Sequence, residues 1–565
     1  MRWVRVHTHY DIWAANGPAP TFCITSDDDG EAFIEIAKTP ELLFRPVSDT
    51  NDLWNCYFSQ AGSSDGSVAA ETINIVNGRA DYTLPQAVWE QMRSVASNTQ
   101  PELQGLYYRV RARPSAASSE AYISHTDGQI QAGQVPFINV IPLSGDLRTE
   151  TPVPDTAAVQ QLDWFSKIML AVIQLLPDSD PGRSALNTML THPTYEGQSS
   201  PRIRAQMLKL FVYAGGNGRQ LMEKLLDMRV AVGSRTDGSQ MTEPALFYRD
   251  ERNEGTTLDH LLATWNIRLD KRIPLAMSEV IYEVMQELVD PPGQVNQGAA
   301  GTCAATSIQT YTIIRNPAEY ARWCRYILDV NANHRVQLAN GDWMRSNPEA
   351  FDTATWQNTS STASGNFLLA IGRTYSERGI QAAVMDYANF RLSYNPETDR
   401  FQSWLGQVVG SGLFFFEISR ALEAIFNQSW VGEFGGGNNG HTNNPQAAND
   451  LITHFNQGGL PCVIGMSWGG GAHAVLGLRV ENDRIIFKNP QYRGSLPFTG
   501  YADGTNLNNP TRRIHDVSRS EESMSLNDLR AVIWGFCRES SAPSDLGYTL
   551  AEIPLHLRAS VNPTT

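Results

Sequence analysis

Cysteine is scarce in this chain, and its spacing forms no pattern. The 565 residues contain six, Cys23, Cys56, Cys303, Cys324, Cys462 and Cys537, with no C-x-x-C pair among them. A disulfide framework and a zinc site both need closer, repeated spacing, so neither is supported, and no metal or other cofactor is expected. Long apolar runs are also missing. The densest cluster, GLFFFEISRALEAIF at 412–426, is interrupted by charges and too short to span a bilayer. The opening MRWVRVHTHYDIW has no apolar segment followed by a small-residue cleavage site. The expectation is a protein without membrane insertion, cytoplasmic or exported by a route that cleaves no signal. Positive charge is in deficit, with 44 Lys and Arg against 59 Asp and Glu and a net charge of −15. Such a surface repels phosphate, so nucleic acid is not an expected partner.

What is present divides the chain into stretches of different period. Residues 1–145 carry short runs rich in β-branched and aromatic residues, broken by Gly, Asp, Asn and Pro: PTFCITS, the alternating Ala32–Ala37, TINIVNG, GLYYRVRARP and PFINVIPL. They read as a β-sandwich with one short helix over Pro85–Ala96. The acids Asp27, Asp28 and Asp29 are contiguous rather than alternating, which suits a hairpin turn better than a calcium loop. After the Pro- and Thr-rich linker 144–156 the period becomes helical. Val159, Leu162, Phe165, Ile168, Met169, Val172 and Ile173 share a face, and further helices follow to give an α-helical region over 155–290. In it Ser200 precedes Pro201 as an N-cap precedes a first turn.

From 291 to 540 helices and strands mix. Helices are expected after Cys303, after the Asn316–Pro317 cap, at 368–379, at 414–427 and through NPQAANDLITHFNQGG. Strands are expected at PCVIGMSW, HAVLGL and RIIFKNP, and Ser525 is placed to cap a last helical turn with Asp528. The tail 541–565 is mostly polar and reads as surface. The fold class is therefore multidomain α+β.

Chemistry concentrates in Gly293–Ser307, GQVNQGAAGTCAATS. A cysteine attacks as thiolate, and two devices can supply one here: the positive end of the helix that Cys303 begins, and an imidazolium from a histidine. The six-residue step from Gln297 to Cys303, through glycines, suits a loop that brings an amide donor beside the nucleophile. His473 stands in one strand and Asn489 lies 16 residues on, in the next strand of a hairpin, where its amide can orient the imidazole. Gln294 competes with Gln297 for the donor role, and the spacing favours Gln297. His441, in the Gly/Asn loop, reads as solvated. Gly469–Gly471 read either as a loose connection or as small residues that keep a cleft open beside His473. Trp468 reads either as a cleft residue or as a core or rim tryptophan. The five other cysteines read as small buried apolar residues.

The segment Asn296-Gln297-Gly298-Ala299-Ala300-Gly301-Thr302-Cys303, with Ala305 and Ser307, resembles the nucleophile segment of papain-like cysteine peptidases. His473-Ala474-Val475 and Lys488-Asn489 resemble that family's histidine and asparagine strands. The resemblance covers roughly 291–540 and implies a fold with one helical and one β-barrel-like subdomain. It implies that Cys303 is the nucleophile, His473 the acid–base, Asn489 its orienter and Gln297 the oxyanion donor. It departs at Ala300, where the family has a cysteine, at Ala304, where it has an aromatic residue, and at Pro490-Gln491-Tyr492, where it has Ser-Trp-Gly. These departures are those of a divergent, bacterial-type member, and the run from the helix through PCVIGMSW to GGGAHAVLGL resembles leader peptidases of peptide exporters. The implied substrate is a protein or peptide. Transglutaminases and deamidases that act on glutamine side chains, bacterial effector toxins among them, share this chemistry, so an effector toxin of that type stays as the alternative, beside a non-catalytic binding protein. GLYYRVRA resembles the tyrosine-corner strand of fibronectin type III and Ig-like domains, with Tyr108 as the tyrosine, which implies a partner-binding sandwich. The helical region 155–290 stands where papain-like zymogens carry a prosegment, and it reads as a prodomain or a scaffold.

Overall fold

Helices and strands alternate along the chain in the computed structural model. It describes residues 4–8, 12–14, 19–26, 28–37, 56–58, 72–76, 78–87, 89, 104–114, 123–124, 137–141, 154–234, 240–273, 275, 277–298, 300–351, 373–389, 392–396, 399–402, 408–409, 412–434, 443–468, 471–490, 513–516 and 521–540. They form two compact units, 1–228 with 261–285, and 229–260 with 286–565.

The first unit begins with two sheets. One pairs Val4–Thr8 with Thr21–Ser26 and that strand with Arg79–Thr83. The other has the long strand Gln104–Pro114 between Gly30–Ala37 and Phe137–Ile141, with Ile12–Ala14 and Cys56–Phe58 at its ends. Alternation puts Phe22, Ile24, Ile34, Ile36, Tyr108 and Val110 inside, and the rings of Phe22 and Tyr108 meet edge to face at 5.2 Å. Asp28 and Asp29 are exposed in a turn, where the Asp29 carboxylate accepts the Gly78 N–H at 2.8 Å. Of the helix expected from Pro85, the Trp89 N–H bonds the Pro85 carbonyl, and residue 88 and residues 90–96 lie outside the described residues.

The helical face expected from Val159 to Ile173 is not one helix. It breaks into Thr156–Val159 and Trp164–Leu175 because Asp163 takes the Ser166 N–H at 2.8 Å as an N-cap. The buried members of the face, Val159, Leu162, Met169 and Ile173, survive the break. Pro201–Tyr213 starts after Ser200, whose side chain makes no capping bond. Trp265 stacks on Tyr213 at 4.2 Å and holds the 261–285 segment to this unit.

The second unit has a seven-stranded antiparallel sheet. Its order is Trp430–Phe434, Ile533–Glu539, Cys462–Trp468, Gly471–Glu481, Arg484–Lys488, Glu521–Ser525, Arg513–Asp516. One face buries Ile464, Met466, Val475, Ile485, Phe487, Met524 and Phe536 beneath the helix Pro445–Asn456, burial worth roughly 1.5–3 kcal/mol for each large side chain. The helix Cys303–Arg315 is buried along almost its whole length, Ala304 to Ile313. Its threonines tolerate this because Thr306, Thr310 and Thr312 return their hydroxyls to carbonyls one turn back at 2.9–3.0 Å. Asn316 caps Pro317–Ile327 through the Glu319 N–H at 3.0 Å, and Ser525 caps Leu526–Val532 through the Asp528 N–H at 3.1 Å.

Of the helix expected at 368–379, residues 368–372 lie outside the described residues, and 375–379 fall in the helix Tyr375–Ala388. Thr374 and Glu377 form a capping box that fixes the start of that helix. The 414–427 expectation corresponds to Phe415–Phe426. Residues 229–260, read in sequence as part of a helical stretch, contain the hairpin Arg229–Ser234 with Gln240–Pro244 and pack in this second unit. Their hold is a buried ionic cluster. Arg322 reaches Glu319 at 2.6 Å and Asp250 at 3.7 Å, and His260 meets Asp250 at 2.9 Å. No described helix is long and apolar enough to cross a membrane. The tail 541–565 lies outside the described residues.

Candidate active site

Cys303 is the first residue of its helix, so its thiol lies where the first helical N–H groups have no partner within the helix. The loop that delivers it is pinned at nearly every residue. The Asn296 N–H and side-chain Nδ2 both donate to Glu377 Oε1, at 2.8 and 3.2 Å. The Gln297 N–H donates to the Pro490 carbonyl at 2.7 Å, and Gly301 N–H to Asp399 Oδ2 at 2.6 Å. Thr302, the N-cap residue, gives its hydroxyl to Gln381 Oε1 at 2.8 Å rather than to its own helix. Gly298 has φ +58°, a conformation that a side chain disfavours, and its N–H bonds Asn296 Oδ1 at 3.0 Å. Gln381 closes the network by donating to the Asn296 carbonyl and to Gln309 Oε1, each at 2.9 Å.

His473 and Asn489 come from one hairpin. Gly471–Glu481 and Arg484–Lys488 are joined by Asn482-Asp483, both with positive φ (50° and 57°), the two-residue turn that matches strand twist. Leu476 pairs with Lys488, so Asn489, one step beyond, lies diagonally across from His473. His473 Nε2 and Asn489 Oδ1 are 3.0 Å apart, and both residues are buried. Asn489 Nδ2 donates to Glu522 Oε1 at 3.0 Å. Nδ2 is thus the end of the amide that faces Glu522, and Oδ1 is the end that faces the ring. Nε2 therefore carries the proton in the neutral imidazole, and Nδ1 is its basic nitrogen.

The histidine strand also meets the cysteine. The Ala474 N–H donates to Cys303 Sγ at 3.4 Å. Burial pushes the Cys303 thiol above its ordinary value, the N–H groups of Ala474, Ala304 and Cys303 pull it down, and the Asp399 carboxylate pushes it up. The residue keeps some exposure while its sulfur is largely desolvated. Cys23, Cys324, Cys462 and Cys537 are buried outright.

Gln297 is buried, and its Nε2 donates to the Ala300 carbonyl at 2.7 Å. A carbonyl only accepts, so Nε2 is identified by that bond and keeps a second N–H to offer. Gln294 ends the short helix Pro291–Gln294, with Nε2 at 3.4 Å from Asp290 Oδ2. His441 and glycines 469 and 470 lie outside the described residues, as do the side chains of Trp468 and Cys56. Among the described residues, no group of three or more His, Cys, Asp or Glu could hold a metal ion. No protein-family model matches the chain, and no curated protein matches it.

Two acids near the site had no place in the sequence reading. Glu522 was legible as an acid at an inward position, since burial alternates through Glu521–Ser525 and it shares a face with Met524. Asp399 gave no signal, because it stands 96 residues from Cys303 in a small hairpin. Its carboxylate also accepts the Tyr394 hydroxyl at 2.6 Å. Its charge opposes the thiolate, so Asp399→Asn, which keeps an acceptor for Gly301, should move the alkylation profile of Cys303 to lower pH. Iodoacetamide rates measured across pH would refute this if the profile stayed in place or moved upward.

Proposed function

We propose that the protein is a papain-like thiol hydrolase that cleaves peptide bonds through an acyl-enzyme on Cys303. The observation that carries the reading is the linked set in which Glu522 orients Asn489, Asn489 orients His473, and the strand of His473 contacts the thiol. On this reading the proton path runs through His473. His473 Nδ1 takes the thiol proton, and the sulfur attacks the substrate carbonyl carbon. The oxyanion that forms faces the Cys303 N–H at the helix start and the second N–H of Gln297 Nε2. The imidazolium returns its proton to the leaving nitrogen, the C–N bond breaks, and a thioester remains. Water, deprotonated by His473, then releases the acid and the free thiol.

On this reading residues 291–540 form the two papain-like subdomains, the helices around Cys303–Arg315 and the seven-stranded sheet. The sheets of the first unit are a fibronectin-like sandwich that engages a protein partner. The departure at Pro490-Gln491-Tyr492 is consistent with the pairing of Asn489 to a carboxylate in place of a shielding tryptophan.

Incubating the full chain with a peptide library and reading the products by mass spectrometry tests the reaction. New termini at backbone amides, absent with Cys303→Ala, are the expected result. Glutamine side chains converted to acids, or cross-linked to amines, would replace peptidase by the deamidase or transglutaminase alternative. No change in any peptide, with Cys303 inert to alkylation, would end the catalytic reading.

A further inference from the structure

We propose that Glu522 is a positioning residue of this site: its carboxylate sets which end of the Asn489 amide meets His473, and so which imidazole nitrogen is the base. The inference rests on the thiol-hydrolase reading and adds a residue to the set of Cys303, His473, Asn489 and Gln297.

The two ends of an asparagine amide are nearly the same size, so packing alone does not choose between them. Here the choice has chemical consequences. With Oδ1 toward the ring, Nε2 holds the proton and Nδ1 can accept one. With Nδ2 toward the ring, Nε2 becomes the acceptor, the proton moves to Nδ1, and the ring loses its base on the other side. Glu522 is 2% exposed and Asn489 also 2%, so water cannot readily replace their 3.0 Å bond. The position follows from strand order. Glu522 pairs with Phe487, two residues before Asn489, and alternation turns it inward.

Other charged groups surround this line. Lys488 is buried immediately before Asn489, His515 stands opposite Glu522 in the strand pairing, Glu521 pairs outward with Arg479 at 2.7 Å, and Asp399 acts on the thiol.

The test is alkylation of the full chain by iodoacetamide, with Cys303 followed by peptide mass spectrometry as pH is varied. An isolated thiol is mostly unreactive at about pH 6, so reactivity there reports the histidine-assisted thiolate. Glu522→Leu is expected to lower that reactivity at least about tenfold and to leave the high-pH plateau rate, where the thiol is fully ionised without help, nearly unchanged. Asn489→Asp combined with Glu522→Gln reverses the donor and acceptor between the two residues while keeping a carbonyl-type oxygen toward Nε2. It is expected to recover low-pH reactivity to within about threefold of wild type. Purely structural support from Glu522 would give no reason for the reversed pair to rescue. The proposal is overturned if Glu522→Leu keeps the low-pH reactivity, or if the reversed pair melts like wild type and has lost it. Should Glu522→Leu not fold, the reversed pair decides alone. Wild type without low-pH reactivity would instead bring down the thiol-hydrolase reading, a result distinct from wild type and variants all retaining it.

Discussion

Cys303→Ala is expected to abolish acylation, with turnover of any cleaved peptide falling by about 10⁶-fold, the scale seen when a triad nucleophile is removed. No other described thiol is placed to substitute. Burial pushes Cys23 and Cys537 up to about 12 and Cys462 well above its ordinary value, so none of the three forms a thiolate at neutral pH. Cys303 is the described cysteine that combines solvent access with N–H donors at its sulfur. Iodoacetamide at about pH 6 should therefore label wild type at one peptide and leave the variant unlabelled. The helix should survive, since alanine is the best helix former and the loop before it is held by Glu377, Gln381, Asp399 and Pro490. A wild-type thermal melt together with undiminished labelling at another cysteine would move the reactive thiol elsewhere and remove the basis of the site.

The parts of this site that were legible in sequence are those whose chemistry is local. The start of a helix at Cys303, the Asn316 and Ser525 caps and the hairpin that carries His473 and Asn489 all follow from short-range rules about caps, turns and alternation. Boundaries failed where a side chain competed with periodicity. Asp163 split a helix that the apolar face ran through. What supports the loop was not legible, because it comes from far along the chain. Glu377 is 81 residues from the Asn296 that it holds, and Asp399 is 98 from Gly301. A buried glutamate looks like any surface glutamate until the opposite strand is known. The hydrogen bonds that orient an amide depend on such partners, so the residue types at the candidate site could be read in advance while the orientation of the Asn489 amide could not.

His473→Ala should separate the two sources of thiolate at the site. The thiol lies above its ordinary value, because the loss of solvation, with the Asp399 carboxylate, outweighs the N–H donors from Ala474 and the helix start. An imidazolium beside it favours the charged sulfur and lowers that value, and removing the ring takes this help away. The sign is therefore fixed. Wild type should alkylate at about pH 6, whereas the variant should be slower there by about a hundredfold or more and should gain rate only as pH rises beyond the ordinary cysteine range. Turnover should fall further than alkylation, by about 10⁴-fold or more, because peptide cleavage also needs a proton for the leaving nitrogen and alkylation does not. Added imidazole should restore part of the low-pH alkylation, since the ring's space opens next to Asn489 Oδ1, the acceptor that orients it. A variant whose pH profile overlays wild type would show that the helix terminus and Ala474 suffice for the thiolate, and His473 would then have no part in activating Cys303.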